Sequence, residues 1–263
     1  MNYARSLAGW LLLFTLPMWG QTQDPLATPP VEVDHVFIFV ERQAPEALVL
    51  EQFGLKRTPR PTRHVGAGTA SLSFLFENAY LELLWVEDEA EVKTQDRTWT
   101  LRTDWRRTGA SPFGLGLRRV HPAISTLPFP TVSHSAAWMR PGTEMAVATS
   151  SSDPMEPTIF VVPSYMALPA WLTPKYYEIA KVIRSQLLFK PLTRHPVGIR
   201  ALTGMKMLSP SQQAQSATMR VLEQAGLVTF ESGPEYLLEL TFDDGQRGKA
   251  LDVRPTLPLI LRY

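Results

Sequence analysis

The apolar positions of this chain fall into short runs, broken by polar and proline-containing stretches. Residues 33–40, V-D-H-V-F-I-F-V, are apolar on both alternating parities, the pattern of a strand covered on both faces. From 45 to 53 the period changes. Ala47, Leu48, Leu50 and Phe53 recur at helical spacing, Pro45 opens the segment and Gly54 stops it. Residues 55–58 suit a short second strand, and R-H-V-G-A-G-T at 63–69 is a glycine turn. Residues 72–76 and 79–86 read as two strands joined tightly at Glu77-Asn78. The predicted order to this point is β-α-β-β-β.

Residues 87–98 are charged and suit a surface loop or short helix. Residues 112–120, P-F-G-L-G-L-R-R-V, form a strand pattern with Gly114 and Gly116 where another group approaches closely. Residues 135–139, 145–149 and 158–162 read as short strands, and no helix pattern lies between 120 and 135. Tyr177, Ala180, Ile183 and Leu187 set a helix over 174–188, and 190–196 is a linker. A strand over 197–208 is followed by a helix from Ser209-Pro210 to Gln224, stopped near Gly226. Residues 227–231, 236–242 and 249–253 complete another β-α-β-β-β. Residues 254–263, extended and proline-broken, are predicted to pack at a sheet edge rather than pair centrally.

Two internal echoes support a repeat. L-E-Q-F-G-L at 50–55 returns as L-E-Q-A-G-L at 222–227, and Y-L-E-L at 80–83 returns as Y-L-L-E-L at 236–240. The predicted organisation is an N-terminal βαβββ module at 31–120, a β-rich middle unit with a helix at 121–190, and a C-terminal βαβββ module at 191–263.

Residues 1–20 read as a secretory signal: Arg5 gives a positive start, and the uncharged apolar run 7–19 is shorter than a membrane span. Residues 21–30 then form a linker. The expected location is exported, periplasmic or extracellular, with an uncleaved N-terminal anchor as the alternative. No second run approaches spanning length. Hydrophobic residues make up 44% and charged residues 19%, enough to bury a sizeable core. A net charge of +1 argues against a nucleic-acid partner. The absence of cysteine excludes disulfides, thiolate catalysis and Cys-ligated zinc. Gly114 and Gly116 give only G-x-G, so no nucleotide cofactor is expected.

Two ionisable residues stand on core-type strands, His35 in the first and Glu82 in the last of the N-terminal module. Burying them requires partners: a metal, each other, or an open cavity. Imidazole and carboxylate suit Zn²⁺, Ni²⁺, Fe²⁺ or Mn²⁺. Arg63 and His64, beside the glycine turn, are candidates to grip an anionic group of a substrate. Their other reading is a solvated turn. Trp85 is a further candidate for contact with a ligand, although tryptophans of this kind more often serve the core.

Two βαβββ modules with His on a first strand and Glu on a last strand resemble the vicinal oxygen chelate superfamily. The run at 54–86, with R-H-x-x-x-G-T before Tyr80-Leu81-Glu82, resembles more narrowly its glyoxalase-like domain branch, as do H-P-V-G-I at His195 and the closing R-P-x-L-P-L. The resemblance implies an α+β fold whose modules curl into half-barrels around a divalent metal. It carries the ligand role to His35 and Glu82. In the C-terminal module Glu239 matches the last-strand ligand and could move a proton, but residues 201–203 offer no first-strand ligand. If the middle unit is the partner instead, its strands offer no His or Glu. The implied function is binding of a small oxygenated molecule in the barrel, with metal-assisted lyase, isomerase or dioxygenase chemistry. The alternative is a metal-free protein that sequesters such a ligand. A homodimer is allowed, since halves in the superfamily sometimes pair between chains.

Overall fold

The computed structural model describes residues 29–263; the expected signal segment and most of the linker lie outside them. In chain order the elements are β1 (Val31–Phe39), α1 (Ala47–Phe53), β2 (Thr62–His64), β3 (Thr69–Leu75), β4 (Tyr80–Val86), α2 (Glu89–Val92), α3 (Arg97–Thr103), α4 (Trp105–Thr108) and β5 (Phe113–Arg119). Then come β6 (Thr131–His134), β7 (Met145–Ala148), β8 (Thr158–Val161), α5 (Leu168–Leu172), α6 (Ile179–Arg184) and β9 (Leu202–Ser209). The chain closes with α7 (Ala217–Gln224), β10 (Thr229–Ser232), β11 (Leu237–Phe242), β12 (Ala250–Asp252) and β13 (Leu259–Arg262).

An eight-stranded sheet, in the order β2-β3-β4-β1-β5-β8-β7-β6, joins the N-terminal module to the β-rich middle unit. The two halves match strand for strand. β1 runs parallel to β4, and β5 runs parallel to β8; β1 and β5 meet antiparallel at the centre. The second half lacks the helix of the first, having turns between β5 and β6 instead. The middle unit is therefore what completes the cup with the N-terminal module.

The C-terminal strands form a separate five-stranded sheet, ordered β10-β9-β11-β13-β12. Here the expectation of a second copy of the first module is corrected. β9 sits between β10 and β11, and β13, expected at an edge, pairs with β11 on one side and β12 on the other. The echoed residues mark similar local structure, the stop after a helix and a buried strand, and not the same pairing order.

One face of the large sheet carries Val36, Ile38, Leu72, Phe74, Leu81, Leu83, Leu115 and Ile159, which join Leu50 and the inner face of the five-stranded sheet in a single core. At about 25 cal/mol per Å² of apolar surface buried, this is the main stabilising layer. The C-terminal sheet is also fixed by polar contacts. Asn78, at the β3–β4 hairpin, donates to the Leu202 carbonyl (2.7 Å) and accepts from the Leu202 amide (2.8 Å).

His195 is a second bolt. Its Nδ1 accepts from the Lys56 amide and its Nε2 donates to the Leu75 carbonyl, both at 2.9 Å. This pairing requires the neutral ring, and burial pushes its pKa below the ordinary value. An unfolded chain would bind a proton near pH 6.5 that the folded chain refuses. The stability this contributes is present above that pH and is lost as pH falls. Thermal unfolding scans from about pH 7.5 to 5.5 should show a falling midpoint, with a smaller fall in H195Q than in wild type.

Candidate functional site in the cup

The opposite face of the large sheet is where the ionisable residues meet. Alternation places His35, Phe37 and Phe39 of β1 beside Tyr80, Glu82 and Leu84 of β4. The same face continues onto Ser71 and Ser73 of β3, His64 of β2 and Phe160 of β8. Gly114 and Gly116 of β5 stand opposite Phe37 and His35. A methyl group at Gly116 would lie 2.1 Å from His35 Cε1, and one at Gly114 would lie 2.0 Å from Phe37 Cε1. The close approach expected at these glycines is thus made by the two aromatic rings of β1.

Between Val33 and His35 the register with β5 shifts: Val33 faces Leu117 and His35 faces Gly116, leaving Asp34 over. Such a bulge re-aims side chains. Here it turns the consecutive residues Asp34 and His35 toward each other, with Nδ1 of His35 3.0 Å from Asp34 Oδ2. Asp34 is fully buried. Its Oδ1 accepts from Arg118 Nη1 (3.2 Å) and from the Leu168 amide (2.8 Å). Arg118 also donates to Glu32 (2.8 Å) and to the Asn78 carbonyl (3.0 Å). The carboxylate holds the proton of His35 on Nδ1, which leaves the Nε2 lone pair facing the cup. Tyr80 stacks on the ring at 4.4 Å and Phe160 packs edge-on at 5.4 Å.

Nε2 of His35 lies 3.9 Å from Glu82 Oε2, and Nε2 of His64 lies 3.9 Å from Glu82 Oε1. Both distances exceed a hydrogen bond. Nδ1 of His64 is 3.1 Å from Thr69 Oγ1, so its Nε2 too is directed at the carboxylate. Burial holds the His64 pKa below its ordinary value, opposed by the Glu82 charge and reinforced by His35. Trp138 covers His64, with ring centres 5.0 Å apart. The buried indole nitrogens of Trp138 and Trp99 and the hydroxyls of Ser71 and Thr158 find no hydrogen-bond partner in the protein. Trp99 packs on Phe37 and Phe39, and Ser71 and Thr158 share their face of the sheet. All four therefore belong to the lining of the cup.

Of the residues expected to form the site, His35, Glu82 and His64 are brought together. The others are placed elsewhere. Arg63 alternates away from His64 and lies near Asp88 (3.6 Å) and Glu91 (3.8 Å), exposed to solvent. The glycine turn beside it is held by the second of these acids, the Gly66 and Gly68 amides both donating to Glu91. Trp85 alternates away from Glu82 into the main core, and its Nε1 donates to Glu87. Glu239 is on β11 of the other sheet. Its neighbours Leu238 and Leu240 enter the core, so it points to the far face and pairs with Arg262 at 2.9 Å. The expected proton carrier is thus separated from the cup by the whole core. Sequence reading did not single out Asp34, Arg118 or Trp138. An acid directly before a strand histidine was the one available sign of Asp34.

The donor chemistry of His35, His64 and Glu82 suits a divalent ion. As folded they oppose one another in pairs, and among the described residues no three His, Asp or Glu side chains are grouped to hold an ion.

Residues 33–138 match the family described as the glyoxalase-like domain. That segment, which contains His35, His64, Glu82 and Trp138, is a glyoxalase-like domain of the vicinal oxygen chelate superfamily, and the mixed α+β architecture is of that type. A solved structure, of a hypothetical protein from Staphylococcus aureus, is similar over 89% of this chain and 98% of its own, with 11% identity and a TM-score of 0.47. No curated protein matches the sequence.

Proposed function

We propose that the protein binds a small oxygenated molecule against the concave face of its cup, in contact with His64, Glu82 and His35. The observation that carries this reading is the pair of indole donors left without an acceptor, Trp138 over His64 and Trp99 over Phe37 and Phe39 of the same face. An indole N–H can only donate. Carbonyl or hydroxyl oxygens would supply what it lacks, whereas a hydrocarbon ligand would leave each donor unsatisfied at about 1–3 kcal/mol. With its Nδ1 proton held by Asp34, His35 can accept a proton at Nε2 from a position next to a carbonyl, and Glu82 is close enough to stabilise the imidazolium. This is isomerase or lyase chemistry. An exported location goes with this reading, on the strength of the apolar run at 7–19.

A second reading has His35 and Glu82 holding a divalent ion that polarises vicinal oxygens. The anchored Nδ1 of His35 and its Nε2 directed at Glu82 favour it. A third, sequestration without turnover, keeps the same contacts.

One experiment separates them. Wild type, H35A and E82A are each incubated with mixed divalent ions and assayed for bound metal by mass spectrometry. They are then tested for binding and turnover of α-ketoaldehydes, catechols and lactones. Turnover by wild type that falls a hundredfold or more in H35A supports the proton-transfer role, given that a general base contributes about 10²–10⁴-fold. Bound metal in wild type that is lost in both variants favours the second reading. Saturable binding without turnover selects the third. A wild type that binds none of these compounds, with or without ions, overturns the proposal.

A further inference from the structure

Six of the exposed large apolar side chains of the described residues fall within one stretch: Tyr176, Tyr177, Ile179, Ile183, Leu187 and Leu188, each between 53% and 88% exposed. Ile179, Ile183 and Leu187 recur every four residues along α6 and the turn of π-helix, Ser185–Phe189, that continues it. They therefore form one outward stripe. The opposite side of this segment is the anchored one. Ser185 is buried and donates to the Leu172 carbonyl at 2.7 Å, and Phe189 packs on Trp171 with ring centres 6.0 Å apart. The stripe is thus not a helix face that the domain itself could cover.

The charges around it are nearly all basic. Residues 173–194 contain Lys175, Lys181, Arg184, Lys190 and Arg194 against the single acid Glu178, in a chain whose net charge is only +1. Glu178 is itself paired with Lys181. Apolar residues along one side, two tyrosines at the start and basic residues at the flanks are the composition of a helix that lies in a membrane interface. Aromatic side chains with a polar tip favour that depth. Among the described residues no helix is long and apolar enough to cross a membrane, so the segment would rest on the surface and not span it.

We propose that the 176–188 segment docks the protein on a lipid surface bearing anionic headgroups, Ile179, Ile183 and Leu187 entering the acyl boundary while Lys181, Arg184 and Lys190 meet the headgroups. The inference does not depend on what the cup binds. Its test is flotation of the full chain with vesicles of phosphatidylcholine alone and of phosphatidylcholine with a quarter phosphatidylglycerol. Wild type should bind the anionic vesicles at least about tenfold more tightly, and high salt should weaken that binding, since salt screens the attraction between basic side chains and an anionic surface. I183E/L187E should abolish binding and K181E/R184E should remove the preference for anionic lipid. Both pairs are exposed, so the far-ultraviolet circular dichroism should stay that of wild type. Absence of flotation by wild type overturns the proposal, as does flotation unchanged in I183E/L187E. Sedimentation that shows a stable dimer broken by I183E/L187E would assign the stripe to a second copy of the chain instead, and also overturns it.

Discussion

Replacing Asp34 with alanine is expected to lower the unfolding free energy by about 3–5 kcal/mol, the range for removing one partner of a buried charge pair. Three groups lose their acceptor at once: the Arg118 guanidinium, the Leu168 amide and the His35 ring. Arg118 keeps Glu32 and the Asn78 carbonyl, which holds the effect within that range instead of above it. Leu168 opens α5, whose residues Leu168 and Leu172 pack with Tyr80, the ring stacked on His35. Loss of the Asp34 bond therefore loosens the segment lying over the cup as well as the histidine beneath it. For a chain of this size the thermal midpoint should drop by roughly 6–20 °C. D34N separates charge from shape. It retains an acceptor for Arg118 and Leu168 and should recover part of the stability. The carboxylate that fixes the His35 tautomer is still gone, so proton transfer at Nε2 should remain impaired. Chemical denaturation of both variants checks the first effect, and the imidazole nitrogen shifts of His35 check the second. An unfolding midpoint in D34A equal to that of wild type would mean that the Asp34 pairs contribute no net stability.

The parts of this architecture that were legible in the sequence are those set by local pattern. Short apolar runs, the Glu77-Asn78 break and the Pro45 and Gly54 boundaries give β1, α1 and the β3–β4 hairpin, and with them the approach of His35 to Glu82. What depends on long-range pairing was hidden. β2 falls at Thr62–His64 and not at 55–58, because an exposed edge strand carries no apolar signature. The middle unit completes the cup although no helix joins β5 to β6, so its kinship with the first half lies in strand order and direction, which composition does not encode. The echo at 222–227 is real but short, and the partners of β9 and β13 are chosen by packing against the large sheet. Glu239 was readable in one respect. Leu238 and Leu240 flank it on a two-residue period, which turns it away from their core. The bulge that rotates Asp34 toward His35 had no expression in the apolar pattern at all, and it is the feature that gives the histidine its orientation.

Gly116→Ala should damage the site more selectively than it damages the fold. The added methyl would stand 2.1 Å from His35 Cε1 and 2.5 Å from both ring nitrogens, closer than any packed contact allows. The ring has no free direction in which to yield. Tyr80 stacks on it, Phe160 closes its edge, and Nδ1 is tied to a carboxylate that is itself fully buried. Overpacking of this kind costs about 1–3 kcal/mol as rotamers and backbone shift to absorb it. Displacement of the ring should break the Nδ1 bond to Asp34 and take Nε2 out of line with Glu82, so any binding or turnover that needs His35 should be lost to the extent seen in H35A. Gly114→Ala is the matched control. It meets Phe37 at 2.0 Å, two residue pairs further along the same strands, and should destabilise by a similar amount. Phe37 carries no proton and no lone pair, so the His35 resonances should stay near those of wild type. If the two variants unfold at similar denaturant concentrations and only G116A moves the His35 signals, the glycine is there to seat the imidazole. Equal changes at His35 in both would make the pair a requirement of strand packing alone.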